Sequence, residues 1–219
     1  MKRSAVILAG GFSKRLGRDK GLVELAGKPL ILHVLDRMFG VVDETLVVVS
    51  SDNQKVAFER TLGQRTRVII DKREEKSPLI GALTGFKCVQ GEYSLLLPCD
   101  TPFVSSNIGS LLLDLCINRS AVIPRWPNGY IEPLQAVYHT KSALTAARAA
   151  LEQEKLDLRS MIASLKGVRY VSTMILQQLD PELLTFFNVN NPRDLRKAES
   201  RMCHISQRKE NSESKKEYD

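Results

Sequence analysis

The amino-acid sequence predicts an α/β fold, a three-layer Rossmann-like arrangement in which helices cover both faces of a mostly parallel sheet. Apolar runs rich in Val, Ile and Leu alternate with helical patterns along the first half of the chain. A glycine-rich segment follows the first run, and aspartates follow two later runs. Continuous apolar strands separated by helices are typical of a parallel sheet that is buried on both faces.

The first half contains predicted strands and helices in alternation. The strands are expected at residues 5–8, 45–50, 68–71 and 93–97. The helices are expected at residues 30–39, 53–62 and 79–89. In parallel sheets of this type, ligands bind at the carboxyl ends of the strands. Gly10, Asp71 and Asp100 each follow such a strand, so these three strand ends are expected to meet at one rim of the sheet.

The second half has a more mixed pattern. Strands are expected at residues 121–124 and 134–139, on either side of a turn that contains the strong turn dipeptide Asn128-Gly129. The elements that follow are two helices, a short strand and a final helix, at residues 141–154, 158–165, 186–189 and from Asn191-Pro192 onward. Asparagine at the cap and proline in the first turn are typical of a helix start.

One domain is expected over residues 1–199, followed by a polar tail at residues 200–219. A chain of 219 residues, 43% of them hydrophobic, suits a single α/β domain with a sizeable core. Residues 210–219 contain almost no apolar side chains, so the tail is expected to be disordered.

The composition bears on partners and location. The net charge of +7 suits an anionic partner, but acidic residues are interleaved with basic ones and no RNA-binding module is found, so nucleic acid is not expected. The four cysteines form no CxxC pair or zinc pattern, which favours structural thiols in a reducing compartment. No apolar run approaches the roughly 20 residues of a membrane helix, and no signal peptide precedes the first strand. We therefore expect a cytoplasmic protein without a membrane partner.

Residues 8–20 are the most informative segment, because a buried strand end is followed there by glycines and cations. Glycine lets backbone N–H groups approach an anion, and Arg15 and Lys20 would supply positive charge where a triphosphate sits. The spacing of Gly11 and Gly17 does not match a Walker A loop, and the dinucleotide fingerprint is also absent. The alternative is an ordinary strand-to-helix turn with solvated charges. The preceding strand favours the phosphate-binding interpretation.

Asp100, which follows the strand predicted at residues 93–97, and Asp71, which ends the strand predicted at residues 68–71, are candidate site residues. Mg²⁺ is usually held by one or two carboxylates together with substrate phosphates, so Asp100 would bridge the protein and a nucleotide. The neighbouring prolines, Pro98 and Pro102, equally allow a turn or helix-cap role for Asp100. Asp71 could hold a ribose or a base, and the alternative for Asp71 is a cap or a surface ion pair.

Gly81, Asn188 and Asn190 complete the candidate residues. Gly81 lies at a predicted helix start, where glycine does not favour a helix, and a close backbone approach to a ligand would explain it. Asn188 and Asn190 are two apart on a predicted strand, so both side chains would point to one face. These amides could ligate an ion or hydrogen-bond a phosphate or a pterin, and the alternative is local turn chemistry before the final helix.

Taken together, these residues resemble the molybdenum cofactor guanylyltransferase family, a group within the nucleotidyltransferases of the nucleotide-diphospho-sugar transferase fold. The matching segments, which follow the expected order, are Leu8-Ala9-Gly10-Gly11-x-Ser13-x-Arg15-x-Gly17-x-Asp19-Lys20, Gly27-Lys28-Pro29-Leu30, Pro78-Leu79-x-Gly81, Pro98-Cys99-Asp100-Thr101-Pro102 and Phe187-Asn188-Val189-Asn190-x-Pro192. The glycine-rich segment by itself marks only the superfamily, whereas the whole series is typical of one or two subfamilies.

The resemblance implies a reaction and a set of residue roles. The terminal phosphate of molybdopterin, with or without molybdenum, would attack the α-phosphate of GTP, and magnesium pyrophosphate would leave. The catalytic residues are then Arg15, Lys20 and Asp100, with Asp100 as the Mg²⁺ ligand, and Asn188 and Asn190 lie on the second-substrate side. The residues predicted to bind GTP are Leu8, Ala9, Gly10, Gly11, Lys20, Asp71, Gly81 and Asp100. Pterin-delivering or acceptor proteins are candidate partners.

Some features leave the substrate open. Relatives often carry asparagine where this chain has Ser50-Ser51, and Glu132 fits a second-substrate residue and a strand-edge charge equally well. Gly10-Gly11 favours guanine, since cytidylyl- and uridylyl-transferring relatives commonly have Ala-Gly at this step. The alternatives are a molybdopterin cytidylyltransferase, transfer to a sugar phosphate or another phosphorylated acceptor, and a non-catalytic nucleotide-binding module. The candidate cations together with Asp100 argue against the non-catalytic module.

Overall fold

The computed structural model describes residues 1–13 and 18–216. The strands of this part of the chain are β1 (Arg3–Leu8), β2 (Phe12–Ser13), β3 (Arg18–Asp19), β4 (Glu24–Leu25), β5 (Lys28–Pro29), β6 (Glu44–Val49), β7 (Arg67–Ile70), β8 (Tyr93–Pro98), β9 (Ala121–Arg125), β10 (Ala136–His139) and β11 (Val168–Ser172). The helices are α1 (Leu30–Met38), α2 (Asp52–Leu62), α3 (Pro78–Cys88), α4 (Ser106–Leu115), α5 (Thr140–Glu152), α6 (Leu158–Ser164), α7 (Thr173–Leu176) and α8 (Pro192–Lys216).

Within the described ranges, seven strands form one sheet in the order β11-β9-β10-β8-β1-β6-β7. The neighbours β8, β1, β6 and β7 pair in parallel, and so do β9 and β11. The exception is β10, which is antiparallel to both β8 and β9. The predicted α/β fold with a mostly parallel sheet is therefore confirmed.

Alternating side chains of the central strand β1 enter two cores, one on each face of the sheet. Ile7 packs in the core that also contains buried residues of α1, α2 and α4. Val6 packs in the core that also contains buried residues of α3, α5 and α6. This alternation follows from the two-residue period of a strand, and it produces the three layers of the fold.

Serine caps begin the helices that follow the strands of the sheet. Ser51 accepts the Gln54 N–H at the start of α2, and Ser77 accepts the Ile80 N–H at the start of α3, both at 3.2 Å. These caps satisfy backbone N–H groups that have no partner inside the helix. Because α2 and α3 follow parallel strands, their N-termini lie at the carboxyl edge of the sheet. Among the helices of the described residues, none combines the length and apolarity that crossing a membrane requires.

A smaller apolar cluster holds the last part of the chain against this edge. It consists of the buried residues Val23, Leu25, Leu30, Phe103, Val189 and Ala198. The backbone contributes as well, since the Val189 N–H donates to the Asp100 carbonyl at 2.9 Å. The segment that precedes α8 is thereby fixed beside the end of β8.

The strand predicted at residues 186–189 is wrong. Leu184–Phe186 form a 3₁₀ turn, and irregular backbone leads from there to α8. The segment contacts Asp100, which lies beyond the last paired residue of β8, so it has no neighbouring ladder to extend. The predicted helix start is confirmed, because the Asn191 side chain accepts the N–H groups of Arg193 and Asp194.

Helix α8 continues to Lys216, through residues that were expected to be disordered. The stretch after Pro192 contains no Gly or Pro and is rich in Lys, Arg and Glu, which favour helices even where few apolar side chains are present. The division into a domain at residues 1–199 and a tail at residues 200–219 stays a prediction. The strand β11 and the helices α4 and α7 were not predicted from the sequence.

Gly85→Ala is expected to lower the free energy of unfolding. Gly85 lies where α3 crosses β1, and a Cβ atom there would overlap Val6 Cγ1. Overpacking of a core typically costs about 1–3 kcal/mol, which urea unfolding would measure.

Gly109→Ala is the matched control, because Gly109 is also a helical glycine that faces the sheet. Its Cβ would lie 3.4 Å from Leu95 Cδ2, an ordinary contact, and alanine favours the helix by up to about 1 kcal/mol. Equal losses of stability in the two variants would contradict the overlap at Val6.

Candidate active site

The parallel strands end in a cleft at the carboxyl edge of the sheet. The order of strands reverses next to β1, since β6 and β7 lie on one side of it and β8 lies on the other. At such a reversal the connecting loops diverge and leave a crevice in which ligands bind. A cavity of about 490 Å³ lies at this position.

Most of the predicted site residues line this cavity. They are Leu8, Gly10, Gly11, Lys20, Asp71, Gly81, Asp100, Asn188 and Asn190. Ala9 instead lies fully buried in the core, and its N–H donates to the Val48 carbonyl at 2.8 Å. Arg15 lies outside the described residues. The structure thus brings the three strand ends and the two asparagines together, while their roles toward substrates stay predictions.

Lys20 connects the glycine-rich loop with two other parts of the site. Its ammonium donates to Asp100 Oδ2 at 3.2 Å and to Asn190 Oδ1 at 2.6 Å. Asp100 is only 7% exposed, and this burial raises the pKa of its carboxyl, while the Lys20 charge opposes that rise. A cation and a carboxylate therefore lie side by side on the cavity wall, as a joint site for phosphate and a divalent cation requires.

Asn188 and Asn190 reach the cavity without forming a strand. Val189 between them is fully buried, and its N–H is bound to the Asp100 carbonyl. Because Val189 points into the apolar cluster, its two neighbours remain exposed, and both line the cavity. Asn188 and Asn190 therefore face the same cavity, as expected. Their side chains lie on the same side because Val189 between them is buried, and not because the segment forms a strand.

The wall on the β7 side is formed by Asp71, Lys76 and the first turn of α3. Asp71 is 4% exposed and accepts the Arg73 N–H at 3.1 Å. Lys76 Nζ donates to the Asp71 carbonyl at 2.8 Å and lies 4.0 Å from its carboxylate, so Asp71 forms an ion pair, although a buried one and not the surface pair that was the alternative. Ser77 and Gly81 bring the positive end of α3 to the cavity. This wall therefore favours an anionic ligand.

Gln54, which the sequence analysis did not single out, joins three parts of the cleft. Its carbonyl oxygen accepts the Ser50 N–H at 2.8 Å, and its amide nitrogen donates to Asp19 Oδ1 at 2.6 Å. The same nitrogen lies 3.5 Å from the Gly10 carbonyl oxygen. Gln54 thereby holds the residue that directly precedes Lys20, and we infer that it positions the Lys20 ammonium.

The sequence around Gln54 contains a recognisable local pattern, but that pattern predicts a helix start and not a role in the cleft. Ser51 and Gln54 have the spacing of a capping box, which predicts a helix start. In that motif the glutamine side chain returns to the N–H of the cap residue, whereas here it binds Ser50 and Asp19. The contact with Asp19 spans 35 positions of the chain, so no local pattern reveals it.

The opposite wall of the cavity includes Tyr130, Glu132 and Gln135. Glu132 accepts the indole N–H of Trp126 at 2.6 Å. Burial raises the pKa of the Glu132 carboxyl, and the bond from Trp126 opposes that rise. Glu132 thus lies on the cavity wall, and its role toward a ligand stays a prediction.

The donor set of the site suits a cation that is shared with a ligand. Within the described ranges, no group of three or more His, Cys, Asp or Glu side chains could hold a metal ion. A divalent cation beside Asp100 would therefore need further oxygen ligands from bound phosphates and water.

Comparison with known proteins agrees with this geometry. Residues 5–169 match the family model described as the MobA-like NTP transferase domain. A probable molybdenum cofactor guanylyltransferase from Methanosarcina acetivorans is 35% identical over 199 residues, which cover 88% of both chains.

Solved structures extend the comparison. Molybdopterin-guanine dinucleotide biosynthesis protein A from Archaeoglobus fulgidus is similar with a TM-score of 0.77 and 27% identity, covering 92% of this chain and 99% of that chain. The 4-diphosphocytidyl-2C-methyl-D-erythritol synthase from Anaerococcus prevotii has a TM-score of 0.69 at 16% identity, covering 92% and 96% of the two chains. The second likeness shows the fold alone.

Gln54→Ala is expected to loosen the backbone around Lys20, because Asp19 then loses its amide partner. Hydrogen–deuterium exchange should become faster at the Lys20 amide, which donates to the Gly11 carbonyl at 3.3 Å in the intact site. Gln153→Ala, at the exposed end of α5, is the control and should leave that amide unchanged. Unchanged exchange at Lys20 in the Gln54 variant would show that Gln54 does not hold the loop.

Asp100→Asn is expected to raise the free energy of unfolding at pH 7. Burial raises the pKa of Asp100 above its unfolded value, so ionisation of this carboxyl disfavours the folded state above that pKa. The gain should vanish below about pH 4, where the carboxyl is protonated in both states. Urea unfolding at pH 7 and below about pH 4 measures this difference in the free energy of unfolding. Asp114→Asn, at an exposed position, is the control. A gain that is independent of pH would contradict this assignment.

Proposed function

The chain belongs to the family of MobA-like NTP transferase domains, and we propose that it transfers GMP from GTP to the terminal phosphate of molybdopterin, with or without bound molybdenum. The products are the guanine dinucleotide form of the cofactor and pyrophosphate. Relatives that carry the name probable molybdenum cofactor guanylyltransferase, at up to 35% identity over most of the chain, support this reaction.

The observation that carries the proposal is the position of Lys20 between Asp100 and Asn190. Asp100 lies at the end of β8, beside the glycine-rich loop, and Asn190 belongs to the segment before α8. One cation therefore contacts both the predicted nucleotide side and the predicted acceptor side. Such a cation could bind phosphates of both substrates where they meet.

The reaction requires two polyanions to be aligned and their charge to be neutralised. An oxygen of the acceptor phosphate forms a bond to the α-phosphorus of GTP, while the bond from that phosphorus to the bridging oxygen of pyrophosphate breaks. Pyrophosphate leaves with the electron pair, so no side-chain nucleophile is needed. Lys20 would bind phosphate oxygens, the first turn of α3 would favour the anion, and Asn190 would orient Lys20 by its hydrogen bond.

We propose Mg²⁺ as the divalent cation and Asp100 as its ligand from this chain. The carboxylate fits this ion because it lies beside the phosphate-binding loop with Lys20 as its neighbour. When bound, the ion would offset the negative charge that develops on the leaving pyrophosphate.

The names of the relatives support guanine as the base. The pair Gly10-Gly11 supports it less than the sequence suggested. A Cβ atom on Gly10 would overlap Ser50 Oγ, so packing within the protein already accounts for glycine there. A Cβ atom on Gly11 would lie 3.9 Å from Lys20 Cδ, an ordinary contact. The choice of guanine over cytosine must therefore come from other contacts in the cleft.

Two expectations from the sequence stay predictions alongside this proposal. One is the cytoplasmic location of the protein. The other is the involvement of proteins that deliver the pterin or receive the product.

Pyrophosphate release should require GTP, Mg²⁺ and molybdopterin together, and it should be slower with ATP, CTP or UTP in place of GTP. Asp100→Ala should lose turnover by a factor on the order of 100 or more, because the cation loses its protein ligand. Lys20→Ala should reduce kcat through lost phosphate stabilisation, while Asp114→Ala, far from the cleft on α4, should behave like wild type.

Turnover of Asp100→Ala at the wild-type rate would refute the metal assignment, and a preference for CTP would refute guanylyl transfer.

A further inference from the structure

We propose that Glu132 and Tyr130 form a subsite for the 2-amino-4-oxopyrimidine ring of the pterin acceptor, in which Glu132 recognises the ring's N–H groups. The inference rests on the proposed function, which supplies a pterin as the second substrate. It assigns the recognition of the heterocycle to the wall that carries Glu132, a residue for which the sequence left a second-substrate role and a strand-edge charge open.

The segment that carries Glu132 is held in place from several sides. The backbone N–H of Trp126 donates to the Tyr130 carbonyl at 2.8 Å, and the backbone N–H of Glu132 donates to the Pro124 carbonyl at 3.0 Å. Further along, the hydroxyl of the buried Tyr138 donates to the Pro133 carbonyl at 2.8 Å. The wall is therefore preorganised, which lowers the entropic cost of binding a rigid ring.

The Glu132 side chain is also fixed in direction. Its Oε1 atom accepts the Trp126 indole N–H at 2.6 Å, and the indole packs edge-on against Phe186 at 5.6 Å between ring centroids. Phe186 is followed by the segment that carries Asn188 and Asn190. The carboxylate and the two asparagines are thus linked through one aromatic contact on the same side of the cleft.

The charge of Glu132 is only partly compensated by the protein. The side-chain ion pairs found among the described residues do not include Glu132, so the indole N–H is the partner that the structure assigns to its carboxylate. A carboxylate has about four lone-pair sites, and further N–H donors can bind to it. A half-buried carboxylate on a cavity wall, with no ion-pair partner among residues 1–13 and 18–216, is suited to a ligand that supplies such donors.

Tyr130 provides an aromatic surface next to this carboxylate. Tyr130 and Glu132 both line the cavity, while Ile131 between them packs against the core on the side of α5 and α6. The Arg159 guanidinium lies over the Tyr130 ring, 5.0 Å from its centroid, which supports one face of the ring. Tyr130 is 52% exposed, so its ring also offers surface on which a flat heterocycle can stack.

The chemistry of the ligand follows from this pair of groups. A pterin presents a ring N–H and a neighbouring 2-amino group on one edge, which together offer two parallel donors to a carboxylate. Bidentate hydrogen bonds of this kind are strong and depend on geometry, so they discriminate against rings that lack either donor.

Guanine presents the same edge, and the topology decides between the two rings. Asp71, Lys76 and α3 lie at the β7 end of the cleft, whereas Glu132 lies in the connection that leads into β10. The strands β7 and β10 are four inter-strand spacings apart, about 19 Å at roughly 4.8 Å each. One base is too small to contact both ends, and Asp71 at the β7 end is the residue predicted to hold the nucleotide. This assignment leaves the end with Glu132 for the pterin.

A titration with free pterins tests this subsite without turnover. The probes are 6-hydroxymethylpterin and 6-hydroxymethyllumazine, which has oxygen in place of the 2-amino group, and their fluorescence reports binding. Wild type should bind the pterin about 10- to 100-fold more tightly than the lumazine, and Glu132→Gln should lose most of this preference. Glutamine keeps an acceptor for the Trp126 N–H, so the fold of this wall should be retained, which a thermal unfolding curve checks.

The matched control is Glu59→Gln, on the exposed surface of α2, which should bind both probes like wild type. Equal binding of the two probes by wild type, or an unchanged preference in Glu132→Gln, would overturn the proposal. A loss of preference in the Glu59 control as large as that in the Glu132 variant would also overturn it.

Kinetics separate this inference from the proposed function. In the pyrophosphate assay, Glu132→Gln should raise the KM for molybdopterin about 10-fold or more and leave the KM for GTP near its wild-type value. A rise in the KM for GTP alone would place guanine at Glu132 and overturn the proposal. Absence of wild-type turnover with molybdopterin would refute the proposed function, while the pterin titration would still decide the role of Glu132.

Discussion

The parallel pairing of β1 with β8 is the constraint on which the site depends. The register places Leu8 opposite Pro98, and beyond this pair the Cys99 N–H donates to the Leu8 carbonyl at 3.1 Å. The glycine-rich loop and Asp100 therefore start from adjacent points of the same sheet edge. Since β6 and β7 lie on the other side of β1, the loops diverge here, and a cleft opens above the strand ends.

Asp100 connects this edge with the end of the domain. Its carbonyl accepts a hydrogen bond from the Val189 N–H, and its carboxylate accepts one from the Lys20 ammonium. The same ammonium also donates to the Asn190 side chain. Segments from the beginning and the end of the chain thus meet at one residue. Burial of the carboxylate disfavours its ionised form, and this loss of stability is the kind that functional residues commonly carry.

The two walls of the cleft differ in chemistry, which suits a reaction between two substrates. The β7 side presents Lys76 and the positive end of α3, so it is complementary to phosphate. The other side presents Tyr130 and Glu132, an aromatic surface and a carboxylate, so it is complementary to a flat ring with N–H donors. Lys20 lies between the walls, where the phosphates of the two substrates would meet.

The sequence by itself determined the parallel core, the glycine-rich loop and the aspartates at the strand ends, because apolar runs and the residues that directly follow them are local signals. It did not reveal the contacts of Gln54 with Asp19 and of Trp126 with Phe186, or the way in which Val189 turns its neighbours toward the cavity. The tertiary structure decided these, since each joins residues that are distant in the chain and no local pattern encodes such a pair. For the same reason, the bond that fixes the Glu132 side chain on the cavity wall became visible only once the chain was folded.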